Sequence, residues 1–185
     1  MRIIAGQYGS RIIKTPTKSS IHPMGEKIRG AIFNRLATEL PGALVLDAFA
    51  GSGAVGLEAL SRGAAHVTFV ESDRQAIRVI NNNLADLNIS TDKFSLIPTT
   101  VMNWLGQNQV SAFDIILADP PYFDVQDQTI IRLASFLKPN GQLILSNPKR
   151  ANTLELPGLI LVEQRVYSEA RISIYHVGPE LDSAI

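Results

Sequence analysis

Cysteine is absent from the 185 residues, tryptophan occurs once and histidine three times. Without thiols the chain can form no disulfide framework, no Cys-ligated zinc or Fe–S site and no thiolate nucleophile, and three scattered histidines are too few for a His-based metal centre. No apolar run approaches the roughly 18 residues of a membrane helix, and the basic, polar start Met1-Arg-Ile-Ile-Ala-Gly-Gln lacks the apolar core of a secretory signal. Aromatics are sparse at 6%, and neither sign of charge is in excess, with Lys+Arg 17 against Asp+Glu 17. What is present, 45% hydrophobic over this length, fits one soluble domain with at most a short appendage, and a cytoplasmic location is expected.

The zero net charge conceals a polarity along the chain. Residues 1–35 hold Arg2, Arg11, Lys14, Lys18, Lys27, Arg29 and Arg35 against the single acid Glu26, a block of +6, which leaves −6 on the remainder. A basic arm on a mildly acidic body points to a polyanion partner, although charges spread over a solvated hairpin and helix would read the same way.

Met1–Gly6 and Arg11–Lys14 are short β-branched runs around Gln7-Tyr-Gly-Ser, the pattern of a small hairpin. Ile28, Ala31, Ile32, Leu36 and Leu40 recur at helical spacing from Gly25 until Pro41-Gly42. Strands and helices then alternate: strand 43–49, helix 54–62, strand 66–71, helix 74–87, strand 94–98, short helix 101–106, strand 113–119, helix 129–137 stopped by Lys138-Pro-Asn-Gly, and strand 142–146. Such alternation predicts a mainly parallel α/β sheet, and the closing pair Leu159–Tyr167 and Ala170–Val177 predicts an antiparallel hairpin at one edge. Trp104, on the short helix, is expected in the core or near the ligand. Two parts are expected, a basic hairpin extension over residues 1–24 and a single α/β domain over 25–185.

In open sheets of this kind ligands bind beyond the C-terminal ends of the strands, so the chemistry is sought in the loop after each strand. The first strand runs into Asp47-Ala-Phe-Ala-Gly51-Ser-Gly53-Ala-Val-Gly56, a G-x-G-x-x-G that can present backbone N–H groups to a ligand at a helix start. A nicotinamide or flavin dinucleotide is one candidate. Asp47 at the strand end would repel a pyrophosphate and suits a ligand bearing ammonium or sulfonium charge, which S-adenosylmethionine carries. Glu71 ends the second strand 20 residues after Gly51, where an acid can accept from both ribose hydroxyls of either cofactor, and Asp73 reads as the cap of the next helix.

The fourth strand ends in Asp119-Pro120-Pro121-Tyr122. Two prolines fix φ and remove N–H donors, so the Asp119 carboxylate and the Pro120 carbonyl are left as a pair of acceptors, and Tyr122 offers a ring. Two acceptors suit an exocyclic amine, whose lone pair they would aim at a methyl donor. As a bare dipeptide, Pro-Pro after a strand is also a stiff turn.

In this order (D-x-F-x-G-S-G, an acid after strand two, D-P-P-Y after strand four) the chain resembles the Rossmann-like amino-methyltransferases. With Met1-Arg-Ile-Ile-Ala-Gly, Glu26-Lys-Ile-Arg29-Gly-Ala-Ile-Phe33-Asn34, the run from Asp47 to Ala64, and Tyr167 followed by Ala170-Arg-Ile-Ser-Ile-Tyr, it is similar nearly end to end to the RsmD family, bacterial methyltransferases acting on a guanine N2 of small-subunit ribosomal RNA. The resemblance implies a class I S-adenosylmethionine-dependent methyltransferase fold with a mainly parallel seven-stranded sheet. It further implies Asp47, Gly51 and Gly53 about the methionine part of the cofactor and Glu71, with Ser72 beside it, at the ribose. Thr100 and Val101 would lie near the adenine, and Asp119, Pro120, Pro121 and Tyr122 about the target base. No metal is expected, and the implied partner is 16S rRNA, naked or in a small-subunit assembly particle, met by a monomer.

Three positions depart from the family pattern. Thr99-Thr100 stands where an Asp or Asn usually follows strand three, His22-Pro23-Met24 stands for Arg-Pro-Thr, and the acid often found at the end of strand five is replaced in Leu145-Ser146-Asn147-Pro148. An adenine N6 in nucleic acid, a protein glutamine, a non-catalytic RNA-binding role and a dinucleotide oxidoreductase are the competing readings.

Overall fold

The computed structural model describes residues 1–16, 24–108, 112–124 and 126–178. Seven strands form one sheet in the order β3-β2-β1-β4-β5-β7-β6. They are β1 (Leu44–Asp47), β2 (His66–Glu71), β3 (Phe94–Pro98), β4 (Phe113–Ala118), β5 (Leu137–Pro148), β6 (Leu159–Tyr167) and β7 (Ala170–Val177). The first five are parallel, and β7 pairs antiparallel with both β5 and β6, as the sequence pattern predicts. From β1 the chain builds outward to β2 and β3 and then returns to place β4 on the other side of β1. The strand order therefore reverses at β1, and crossover loops part there to leave a crevice.

Five helices cover the two faces: α1 (Glu26–Arg35), α2 (Ala54–Ser61), α3 (Arg74–Asp86), α4 (Val101–Gln107) and α5 (Asp127–Ala134). Alternate strand residues point to opposite sides. Val45, Val67, Phe69, Ile115, Leu117 and Ile144 accordingly meet α1, α2 and α3, whereas Leu46, Val70, Ile116, Leu143 and Leu145 meet α4 and α5. Burial on both faces is why β1 and β4 read as unbroken apolar runs. Trp104 packs in the second cluster, 5.1 Å from Phe136 and 6.0 Å from Phe113 between ring centroids. Among the described residues no helix is long and apolar enough to cross a membrane.

The N-terminal residues form a minimal hairpin around the Arg2–Ile12 bridge, with Ile3 and Ile13 buried in the first cluster. Side chains of α2 and α3 fasten it. Glu58 accepts from the Ile4 and Ala5 N–H groups at 2.7 and 3.1 Å, Ser61 Oγ accepts from Tyr8 N–H at 2.9 Å, and Asn83 exchanges two hydrogen bonds with the Lys14 backbone.

Two stretches differ most from the sequence reading. The predicted helix 129–137 is α5, Asp127–Ala134, and Lys138-Pro-Asn-Gly does not stop it. Leu137 already pairs with Phe113, and the register then jumps so that Gln142 pairs with Ile115, leaving the tetrapeptide as an excursion within β5. Asn140 takes a left-handed φ of 64° to make the excursion. The first helix ends at Arg35 rather than Leu40, but Leu36 and Leu40 stay buried because a following turn bonds Leu40 N–H to Leu36 O.

Candidate active site

A cavity of about 610 Å³ opens over the C-terminal ends of β1, β2 and β4. Its walls are the loop after β1, the Glu71–Asp73 segment, residues 99–101 at the start of α4, residues 119–123 after β4, the start of α1 and the β6–β7 turn. This is the crevice that the strand reversal creates.

Three adjacent strands bring one carboxylate each to this place, all on the face toward α1–α3. Asp47 lies opposite Phe69 and Leu117 in the ladder. Glu71 and Asp119 follow those partners by two residues, which keeps the same face and carries them about 7 Å farther along the strands. Asp47 is consequently the deepest of the three, 3% exposed, and lies beneath the cavity rather than in its wall.

Burial pushes the Asp47 carboxyl up to about 7; the hydrogen bond it accepts from Gly56 N–H at 2.9 Å works against this, and the neighbouring charges of Asp119 and Glu71 add to it. Burial likewise pushes Asp119 up to about 6, opposed by a hydrogen bond from Ser146. Glu71 is held in place by backbone donors, with Oε2 accepting from Gly51 N–H and Oε1 from Ser72 and Asp73 N–H, each at 2.7 Å.

Of the residues singled out in the sequence, Gly51, Glu71, Ser72, Thr100, Val101, Asp119, Pro120, Pro121 and Tyr122 line the one cavity, and Asp47 and Gly53 support it from below. Gly53 has φ 76° and opens α2 through its carbonyl, a left-handed conformation that favours glycine. Gly56 serves closeness instead, since a Cβ there would sit 2.2 Å from the Phe69 ring. Thr100 caps α4 by accepting from Asn103 N–H. Of His22-Pro23-Met24, the first two lie outside the described residues, and Met24 lines the cavity.

Ser146 has no assigned role in the sequence reading and is central here. Leu145 pairs with Ala118, so Ser146 stands beside Asp119, and its Oγ lies 3.1 Å from Tyr122 Oη. A polar residue closing an apolar strand next to the D-P-P-Y strand is the signal that finds it. Phe123, 85% exposed at the cavity mouth, and the β6–β7 turn with Glu169 also escaped the sequence reading, because neither belongs to a periodic element.

The basic arm needs one correction. Arg29 is not part of a phosphate-facing surface: it is fully buried, donates to the Arg2 and Met24 carbonyls and lies 3.7 Å from Glu58. Arg2, Lys14 and Arg35 stay accessible at the surface, each beside an acid, Glu26, Asp86 and Glu39 respectively. Lys18 lies outside the described residues.

The donor set tests which cofactor fits. The described lining contains Glu71, Asp73, Asp119 and Glu169 but no Lys, Arg or His. An acidic cleft without cations opposes a pyrophosphate and favours a cationic ligand. S-adenosylmethionine fits these residues, and a dinucleotide does not.

A family model described as Conserved hypothetical protein 95 matches residues 1–176. The chain is 34% identical over 153 residues to Ribosomal RNA small subunit methyltransferase D of Haemophilus influenzae, covering 80% of this chain and 79% of that one. It is 38% identical over 122 residues to the protein of the same name from Escherichia coli strain K12, covering 66% and 60%. The solved structure of Escherichia coli yhhF matches with a TM-score of 0.86 at 30% identity, covering 96% of this chain and 97% of that one. The architecture is the Rossmann-like class I methyltransferase fold. Matched from the N-terminal hairpin through β7, the chain belongs to the RsmD family of methyltransferases, the family described as Conserved hypothetical protein 95.

Proposed function

We propose that this protein transfers a methyl group from S-adenosylmethionine to the exocyclic N2 amine of a guanine in 16S rRNA. The observation that carries the reading is the Asp119-Pro120-Pro121-Tyr122 segment at the edge of an acidic cleft that lacks cations among its described residues. That the acceptor is small-subunit rRNA is supported by the names of the Haemophilus and Escherichia relatives.

When bound, S-adenosylmethionine supplies an electrophilic methyl group on a positively charged sulfur. Asp47 and Asp119 offer that charge a negative surround, and Glu71 offers the ribose a carboxylate already oriented by three backbone N–H groups. A guanine N2 is a weak nucleophile because its lone pair is conjugated with the ring. Asp119 and the Pro120 carbonyl accept its two N–H bonds and turn the lone pair toward the methyl carbon, while Tyr122 supports the base. Most of the acceleration comes from this alignment. The cleft offers phosphates no counter-charge, so the base enters alone, out of its stack. Residues 1–24 form the RNA-facing extension of a catalytic domain over 25–185, working in the cytoplasm as a monomer.

The test offers labelled S-adenosylmethionine with three acceptors: small subunits from cells lacking the gene, the naked rRNA extracted from them, and total protein. N2-methylguanosine in a nucleoside digest of either RNA sample is the expected result, and the two samples tell whether an assembled particle is needed. Asp119→Ala should abolish transfer even with the cofactor site saturated. Label confined to protein, or to adenine, overturns the acceptor assignment.

A further inference from the structure

Ser146 is the buried group that this reaction leaves without a task. It is 2% exposed, stands beside Asp119 at the end of β5, where its hydroxyl can donate to that carboxylate, and its Oγ lies 3.1 Å from Tyr122 Oη. A serine has one proton to give, and an ionised carboxylate can only accept. With Asp119 ionised the direction is therefore fixed: Tyr122 O–H donates to Ser146, and Ser146 O–H donates to Asp119. With Asp119 protonated the whole line can turn round, the acid donating to Ser146, Ser146 to Tyr122, and Tyr122, which is 43% exposed, to water. The three groups connect a buried carboxylate to the cavity mouth and can hold either polarity.

Methyl transfer to an amine gives such a connection a use. The nitrogen lone pair forms the new N–C bond, the S–C bond breaks with its electrons staying on sulfur, and the nitrogen is left positively charged with one proton to lose. With base and cofactor filling the cleft, no His or Lys among the described lining residues can take it, and Asp119 is the carboxylate expected to hold that amine.

We propose that Asp119, Ser146 and Tyr122 form the proton exit of this active site. Asp119 takes the proton from the methylated nitrogen and passes it to Ser146 Oγ, Ser146 passes its own to Tyr122 Oη, and Tyr122 releases its own to water, so each group ends as it began once Asp119 is again ionised. The inference rests on the methyl-transfer reading above. A carboxyl titrating near 6 suits the role, since it can accept the proton and release it again near neutral pH.

Two measurements test it. Carbon-13 NMR of the aspartate carboxyls in the cofactor-free protein, with the Asp119 signal identified by its loss in Asp119→Asn, should show its midpoint move upward in Ser146→Ala and return in Ser146→Thr, which keeps the hydroxyl. In single-turnover transfer, Ser146→Ala and Tyr122→Phe should each slow the reaction on the order of a hundredfold, the low end of what positioned acid–base groups contribute, with cofactor affinity unchanged. Because both interrupt one line, the double variant should be no slower than the slower single one. An unmoved Asp119 midpoint, a Tyr122→Phe rate equal to wild type, or losses that multiply in the double variant overturns the exit. Wild-type protein that methylates no RNA overturns the reaction and the exit together, and that outcome is distinguishable because it appears before any variant is made.

Discussion

At the scale of single residues, the depth of Asp47 sets two opposed demands. A carboxyl titrating near 7 in the fold and near 3.8 when unfolded binds more protons in the folded state, so stability falls as pH rises between those values and the full loss persists above 7. Asp47→Asn retains an acceptor for Gly56 N–H and removes that loss. Calorimetric melting of the cofactor-free protein should find the variant more stable than wild type at pH 8, by at most about 4 kcal/mol, and no more stable near pH 4. The same change should weaken cofactor binding, since it deletes a charge that a cation needs. For wild type, a bound cation favours ionised Asp47 and Asp119. Affinity for S-adenosylmethionine should therefore rise from pH 5 to 8 with proton release, which titration calorimetry in two buffers of different ionisation heat will detect. The uncharged thioether product should show a shallower dependence; equal slopes would place the sulfonium away from these carboxylates. Gly56→Ala would press a methyl group into the Phe69 ring, and about 1–3 kcal/mol of destabilisation is expected, relieved in part by Phe69→Leu.

At the scale of elements, α2 acts as the hub to which the hairpin is tied. Glu58 is fully buried yet answers Ile4 N–H, Ala5 N–H, Arg62 and Arg29. Glu58→Ala leaves the Arg29 guanidinium buried without its counter-charge, and a loss of about 3–5 kcal/mol by urea unfolding is expected. The strands were legible because parallel strands buried on both faces write unbroken apolar runs, and the site loops because prolines, glycines and carboxylates stand where those runs stop. The start of β5 was not legible. Lys138-Pro-Asn-Gly has the composition of a helix stop, and only the pairing of Leu137 with Phe113 reveals an excursion inside a strand. Nor could the sequence give the depth of Asp47 or the company of Ser146, since both depend on register between strands distant in the chain. Arg29 misled for a related reason: a cation on a basic helix was counted toward a surface charge, while its partner lies 29 residues away on another helix.

For the molecule as a whole, zero net charge divides into a cleft that is acidic among its described lining residues and a block of +6 along residues 1–35. Lys27 is exposed on α1, next to cavity-lining residues, and no acidic partner for it occurs among the described residues. If it meets a phosphate, Lys27→Ala should weaken RNA binding alike for all sequences and reduce the slope of log affinity against log salt by about 0.7–0.9; an unchanged slope would exclude Lys27 from the contact surface. The hairpin carries a different consequence, one of timing. Its anchors to α2 and α3 span 53 to 69 residues of chain. In synthesis from the N-terminal side, residues 1–16 emerge many codons before Asn83. Ile3 and Ile13 must therefore wait uncovered through the synthesis of β1, α2, β2 and α3, so that a segment made ahead of its anchors settles after them, and closing those long loops belongs to the late part of folding.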